Sequence, residues 1–187
     1  MANQNWPFGL QAVARRGGGT PVVRYQTINA VASAIYKGQP LKSHSGTGTV
    51  AEYTNVASFN ACGTDANCAG VAAEYFPGTG AGSTKTKIAV WDPRENLFEV
   101  QVGSGATTST TRASYLWKHC TLATHNGGST ATGISSGYVT FAGLGVTGGT
   151  KPLQIEDVSR DINNCDVDAA YCNVLVRIIP TACAMLH

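Results

Sequence analysis

The chain has 187 residues, of which 13% are charged, about half the level usual in globular proteins. Its 13 Lys+Arg against 11 Asp+Glu leave a net charge of +2, too weak a field to grip nucleic acid or an anionic membrane, so neither is expected as a partner. With 22 Gly and 7 Pro beside 43% hydrophobic residues, the composition suits turns and pleated strands around a core and argues against a bundle of long salt-bridged helices.

At roughly 150 residues per domain, the length predicts an extended N-terminal arm over 1–20 and a single β-rich domain over 21–187. The arm carries Trp6-Pro7-Phe8-Gly9-Leu10 and then Arg15-Arg16-Gly17-Gly18-Gly19, without helical or strand periodicity. Apolar side chains on such a segment must dock on a neighbouring copy, on another protein, or as a strand tucked onto the chain's own core. The opening MANQNWPFGL lacks a basic segment followed by an apolar core, so no secretory signal is read and synthesis in a reducing cytoplasm is expected.

Strand-like runs follow at Val22–Ile28 and Ala34–Leu41, then a polar loop at Ser43–Thr49, a weakly patterned stretch at Thr49–Phe59, and a buried strand at Cys68–Phe76. Lys85–Trp91 and Leu97–Val102 flank Asp92-Pro93-Arg94-Glu95-Asn96; because Asp-Pro starts turns and the flanks alternate, a hairpin is predicted. Residues 103–149 read as a Gly/Ser/Thr-rich, loop-rich insertion holding one short helix at Arg112–Thr121 and one apolar stretch at Ser136–Leu144. Pro152–Val158 alternates, Ser159–Ala170 is a polar connection, and Cys172–Pro180 reads as a core strand. Arg177 interrupts that last run, which falls far short of the about 20 residues a bilayer span needs, so a soluble chain is expected. The fold class is all-β, a small barrel or sandwich with the barrel preferred.

Six cysteines raise metal and disulfide readings. Cys62 and Cys68 are separated by five residues, Cys165 and Cys172 by six, beyond the short gaps with which paired thiolates chelate zinc. Disulfides within those two pairs and buried thiols both remain open. His44, His119, His125 and His187 are the histidines available to activate a thiol, but His119 and Cys120 are adjacent, so on a strand they face opposite sides. The Gly78–Lys85 loop lacks the P-loop spacing, and Glu156-Asp157 and Asp166-x-Asp168 lack an EF-hand frame. No catalytic residue, cofactor or metal ligand is assigned, which favours a structural or interaction role.

Asn5-Trp6-Pro7-Phe8-Gly9-Leu10, the following Gly17-Gly18-Gly19 and Val23-Arg24-Tyr25 resemble the opening of tailed-bacteriophage head decoration (cement) proteins of the N-x-PFGL type. Ile35-Tyr36-Lys37-Gly38-Gln39-Pro40-Leu41 is similar to their Y-x-G-D-P-V element, with Gln39 in the acidic place, and Gly70–Phe76 to their GVV-x-GF strand. Val90–Gln101 is similar to their V-x-DDP-x-x-x-FE-x-Q hairpin and Val174–Ile178 to their closing strand. The resemblance implies a virion structural protein on the outer surface of the mature head. Such a protein binds the major capsid protein, groups as a homotrimer and cements neighbouring subunits, without enzymatic activity. On that reading Asn5, Trp6, Pro7, Phe8, Gly9 and Leu10 form the partner-binding segment, with Trp6 and Phe8 as anchors. The rivals are a minor head-completion, tail or receptor-contacting virion component and, from another class, a small cytosolic enzyme using Cys120 or another thiol.

Overall fold

The structure is a computed structural model that describes residues 5–28, 33–44, 48–53, 59–60, 68–78, 85–103, 115–124, 127–145, 151–159 and 171–179, with backbone alone at 44 and 141–145. It is all-β. The strands are β1 (Gln11–Arg15), β2 (Val23–Thr27), β3 (Pro40–His44), β4 (Thr49–Glu52), β5 (Cys68–Ala72), β6 (Lys87–Trp91), β7 (Asn96–Gln101), β8 (His119–Thr124), β9 (Gly128–Ser129), β10 (Ile134–Ser135), β11 (Tyr138–Gly145), β12 (Leu153–Val158) and β13 (Asn173–Ile178).

A six-stranded sheet has the order β1-β7-β13-β12-β8-β11 and a five-stranded one the order β2-β6-β5-β3-β4, while β9 and β10 form a small ribbon. Every pairing within them is antiparallel. Alternating direction makes the first and fifth of five successive strands run the same way, so a five-strand sheet that curls onto itself must close with a parallel contact. Each sheet makes one such contact among the described residues: Val102, following β7, meets Val139 of β11 in a parallel bridge, and Ile28, following β2, meets Val50 of β4 in another. β1 occupies the remaining edge of β7, from Gln11↔Glu99 to Arg15↔Asn96.

Strand alternation sorts residues between core and surface. In β13 Val174, Val176 and Ile178 are buried while Leu175 and Arg177 are half-buried, and in β7 Phe98 and Val100 are buried between half-buried Leu97 and Glu99. These residues join Cys120, Leu122, Val139, Leu153 and Ile155 in the larger apolar cluster. A second cluster, with Leu41, Val50, Ile88 and Val90, fills the five-stranded sheet. The two cores share a wall: β5 is buried along its whole length, with Cys68 and Val71 facing the first cluster and Ala69 and Ala72 the second. Each fully buried large aliphatic contributes about 1.5–3 kcal/mol.

Four expectations are corrected. The predicted hairpin is a corner: Lys87–Trp91 pairs with β2 and β5, whereas Asn96–Gln101 pairs with β1 and β13 in the other sheet. Asp92 does start the turn, its carboxylate accepting the Arg94 N–H at 2.9 Å. The Asn96 side chain, however, accepts the Val22 N–H and donates to the Val22 carbonyl, both at 2.7 Å, tying the corner to β2. The 103–149 segment contributes β8 and β11 to the six-stranded sheet, because Cys120, Leu122 and Val139 alternate inward among Thr and Gly. Of the short helix predicted over Arg112–Thr121, Tyr115 alone among the described residues is helical, and strand begins at His119. The arm, finally, is extended, but its residues 11–15 are a sheet strand.

Candidate partner-binding segment

The N-terminal segment divides at Phe8. Gly9 N–H donates to the Gly137 carbonyl and Leu10 N–H to the Gly38 carbonyl, each at 2.9 Å, and the Leu10 side chain is fully buried in the larger core. Two glycines permit this approach. Gly9 and Gly38 have φ of +71° and +87°, and a Cβ on Gly9 would lie 2.6 Å from the Gly38 oxygen, one on Gly38 2.6 Å from the Phe8 oxygen. Only glycine adopts that backbone without strain and leaves room for the opposing chain. Gly9 and Leu10 are therefore a latch within their own chain, the tucked reading weighed from sequence, and not a contact offered to a partner.

Upstream of the latch the chain projects. Phe8 and Pro7 are half-buried and Asn5 is exposed, while Trp6 is 68% exposed. Trp6 is nonetheless held, its N–H donating to Gln101 Oε1 at 2.9 Å, and the Phe8 carbonyl accepts from Gln11 Nε2 at 3.0 Å. Gln101 is almost fully buried and donates in turn to the Tyr171 carbonyl at 3.3 Å. An exposed indole thus sits on a backbone fixed from both sides.

After β1, the Gly17–Gly19 reversal is closed by Gly18 N–H to the Arg15 carbonyl at 2.8 Å and Arg15 N–H to the Gly19 carbonyl at 3.1 Å. Arg15 pairs with Glu95 at 3.0 Å on the exposed surface, a contact worth at most about 1 kcal/mol. An open cleft of about 380 Å³ lies between this turn, Leu97 and Glu156.

Cys68 and Cys172 are buried; Cys62 and Cys165 lie outside the described residues, and so do the two disulfide pairings. Cys120 is fully enclosed in the six-stranded sheet, and burial pushes its thiol up to about 12 against the opposing pull of Lys151. A nucleophile needs the opposite shift. On the other face of β8, desolvation lowers the His119 pKa, and the Arg177 and Lys151 charges add to that against a backbone hydrogen bond with Lys151. The His119 Nδ1 is buried without a hydrogen-bond partner. His125, His187, Asp166 and Asp168 lie outside the described residues, as does the His44 side chain. Glu156 pairs with Arg177 at 2.7 Å. Lys85 of the Gly-rich loop pairs with Glu74 at 2.6 Å. Burial raises the Glu74 pKa, but the Lys85 hydrogen bond and charge and the Ala89 N–H outweigh it and hold the carboxyl below its ordinary value. Among the described residues no group of three or more His, Cys, Asp or Glu side chains could hold a metal ion.

Sequence reasoning did not single out two further exposed aromatics. Trp117 is 60% exposed with a left-handed backbone, φ 65°, which is uncommon for so bulky a residue. Tyr25 stands 73% exposed on β2. Exposure depends on what packs over a strand, and neither residue carries a local signal for it. In comparisons with protein-family models, curated proteins and solved structures, none matches the chain.

Proposed function

We propose that this chain is a virion structural protein that binds the outer surface of a tailed-phage head and cements neighbouring capsid subunits. Its anchor on the major capsid protein is the Asn5–Phe8 projection. The observation that carries the reading is Trp6, 68% exposed on a segment latched by Gly9 and Leu10. A large aromatic on a backbone already held in place buries its area on a partner at the cost of its own two side-chain torsions and little further backbone freedom. The short strings shared with decoration proteins supply the class of partner. Grouping as a homotrimer, which the same resemblance implies, multiplies weak single contacts through effective concentration.

Quantitative mass spectrometry of purified particles tests the reading. One copy of this chain per major shell protein is expected; a few copies per hundred would instead favour a vertex, neck or tail component, and absence from particles would overturn a virion role. Replacing Trp6 by Ala is expected to weaken retention on heads about tenfold or more, the scale of an aromatic hot spot, with an unchanged melting temperature. Undiminished retention would remove Trp6 as the anchor. Truncation through residue 12 is the wrong probe, because it also strips Leu10 from the core.

A further inference from the structure

Two residues of the second apolar cluster, Ala69 and Val90, also line a small pocket bounded by β2 and the β6–β7 corner. In β2, Arg24 lies opposite Val90 and Gln26 opposite Ile88. Cross-strand partners share a face of the sheet, so Arg24 stands on the side of this cluster. Ala69, Val90 and Pro93, all buried, give the pocket apolar walls, and Arg24, Asp92 and Arg94 bring its charges. The pocket measures about 20 Å³, room for one or two water-sized groups.

The charges there do not balance. The Asp92 side chain is buried and both of its oxygens are engaged, Oδ2 by Arg24 Nη2 at 2.8 Å and Oδ1 by the Arg94 N–H at 2.9 Å. Two guanidinium groups against this one carboxylate leave a net charge of +1. Arg94 is half-buried, and among the described residues no carboxylate pairs with its guanidinium. Arg24 is held to Asp92 through one nitrogen, which leaves its other N–H groups available. A partly desolvated cation without a counter-charge is costly, and a carboxylate bound by charge-assisted hydrogen bonds offsets that cost.

We propose that this pocket is a docking site for a single acidic side chain of a partner protein, its carboxylate gripped between Arg24 and Arg94. Size, charge and shape select that ligand. Small-molecule sites enclose about 300–1,000 Å³, so this pocket admits only the head group of a longer ligand. Its surplus of one positive charge matches a carboxylate monoanion, not the charge of about −1.5 to −2 on a phosphorylated side chain. The planar guanidinium fork fits the two oxygens of a carboxylate, and the apolar walls strengthen the pairing by lowering the local dielectric. The site does not rest on head binding through Trp6, and its test uses no phage head, so the two readings stand or fall separately.

Titration of the intact chain with N-acetylglutamate N-methylamide, which carries one side-chain carboxylate, tests this through the NMR signals of the arginine Nε–H groups. Saturable shifts of Arg24 and Arg94 are expected, and none with the glutamine analogue or with sodium chloride at equal ionic strength. Arg94→Gln is expected to weaken binding about tenfold or more, the scale of a hydrogen bond to a charged group. Its melting temperature should be unchanged, because the backbone N–H that serves Asp92 remains. Arg16→Gln removes the same charge from an exposed turn outside the pocket and should leave binding as it is. Absence of a saturable shift would overturn the site, and so would an equal loss of binding in both variants, the mark of general charge attraction. Tighter binding of inorganic phosphate than of the glutamate derivative would overturn the carboxylate assignment.

Discussion

Gly9 and Leu10 look from sequence like part of an apolar anchor, yet the first has no room for a Cβ and the second is fully buried. Trp6, four residues from Leu10, remains outside. The distinction depends on Gly38 and Gly137, which lie far along the chain and receive the latch. His119 carries a prediction at this scale. Its ordinary pKa of 6.5 is lowered in the fold by desolvation and by the Arg177 and Lys151 charges, so the unfolded chain binds the proton more readily. The associated stability is complete above pH 6.5 and is lost as the pH falls below it toward the lowered folded value. Urea midpoints measured against pH should fall on acidification in the wild type, and part of that fall should vanish in His119→Gln.

The strands of β6 and β7 are legible from their alternation and the turn between them from Asp-Pro, but their partners are not. Turn chemistry specifies that the chain reverses, whereas sheet membership depends on β2, β5, β1 and β13, all distant in sequence. Asn96 shows what holds the corner: it bonds both backbone groups of Val22 and donates to the Asp92 carbonyl at 3.0 Å while fully buried. Asn96→Ala leaves these groups without their partner inside the protein, and a loss of about 2–4 kcal/mol is expected in urea unfolding. A loss below about 0.5 kcal/mol, the level of an ordinary surface change, would show that the corner does not depend on it. The segment 103–149 errs in the opposite direction. Gly and Thr obscure β8 and β11, whose inward residues Cys120, Leu122 and Val139 are correctly spaced but few.

Across the whole molecule, the two apolar cores share β5 as a wall, so neither core can be exposed without disturbing the other. A single cooperative transition is therefore expected in calorimetry. Ile155→Ala in one core and Ile88→Ala in the other should both lower that same transition, each by about 2–5 kcal/mol. Two resolved transitions, each sensitive to one substitution, would show that the cores unfold separately.

The sequence by itself determined the all-β class, through composition and period-two alternation, and it located β2, β5, β6, β7, β12 and β13 because side-chain direction is a local property of the backbone, whereas the strand read over 34–41 lies at Pro40–His44. It also marked Trp6 as an apolar side chain with nothing nearby to cover it. Tertiary structure decided which strands share a sheet, and which residues of the N-terminal segment are latched and which are presented. Those outcomes depend on contacts between residues far apart in the chain, where hydrogen bonds and close packing select among pairings that local patterns leave equivalent.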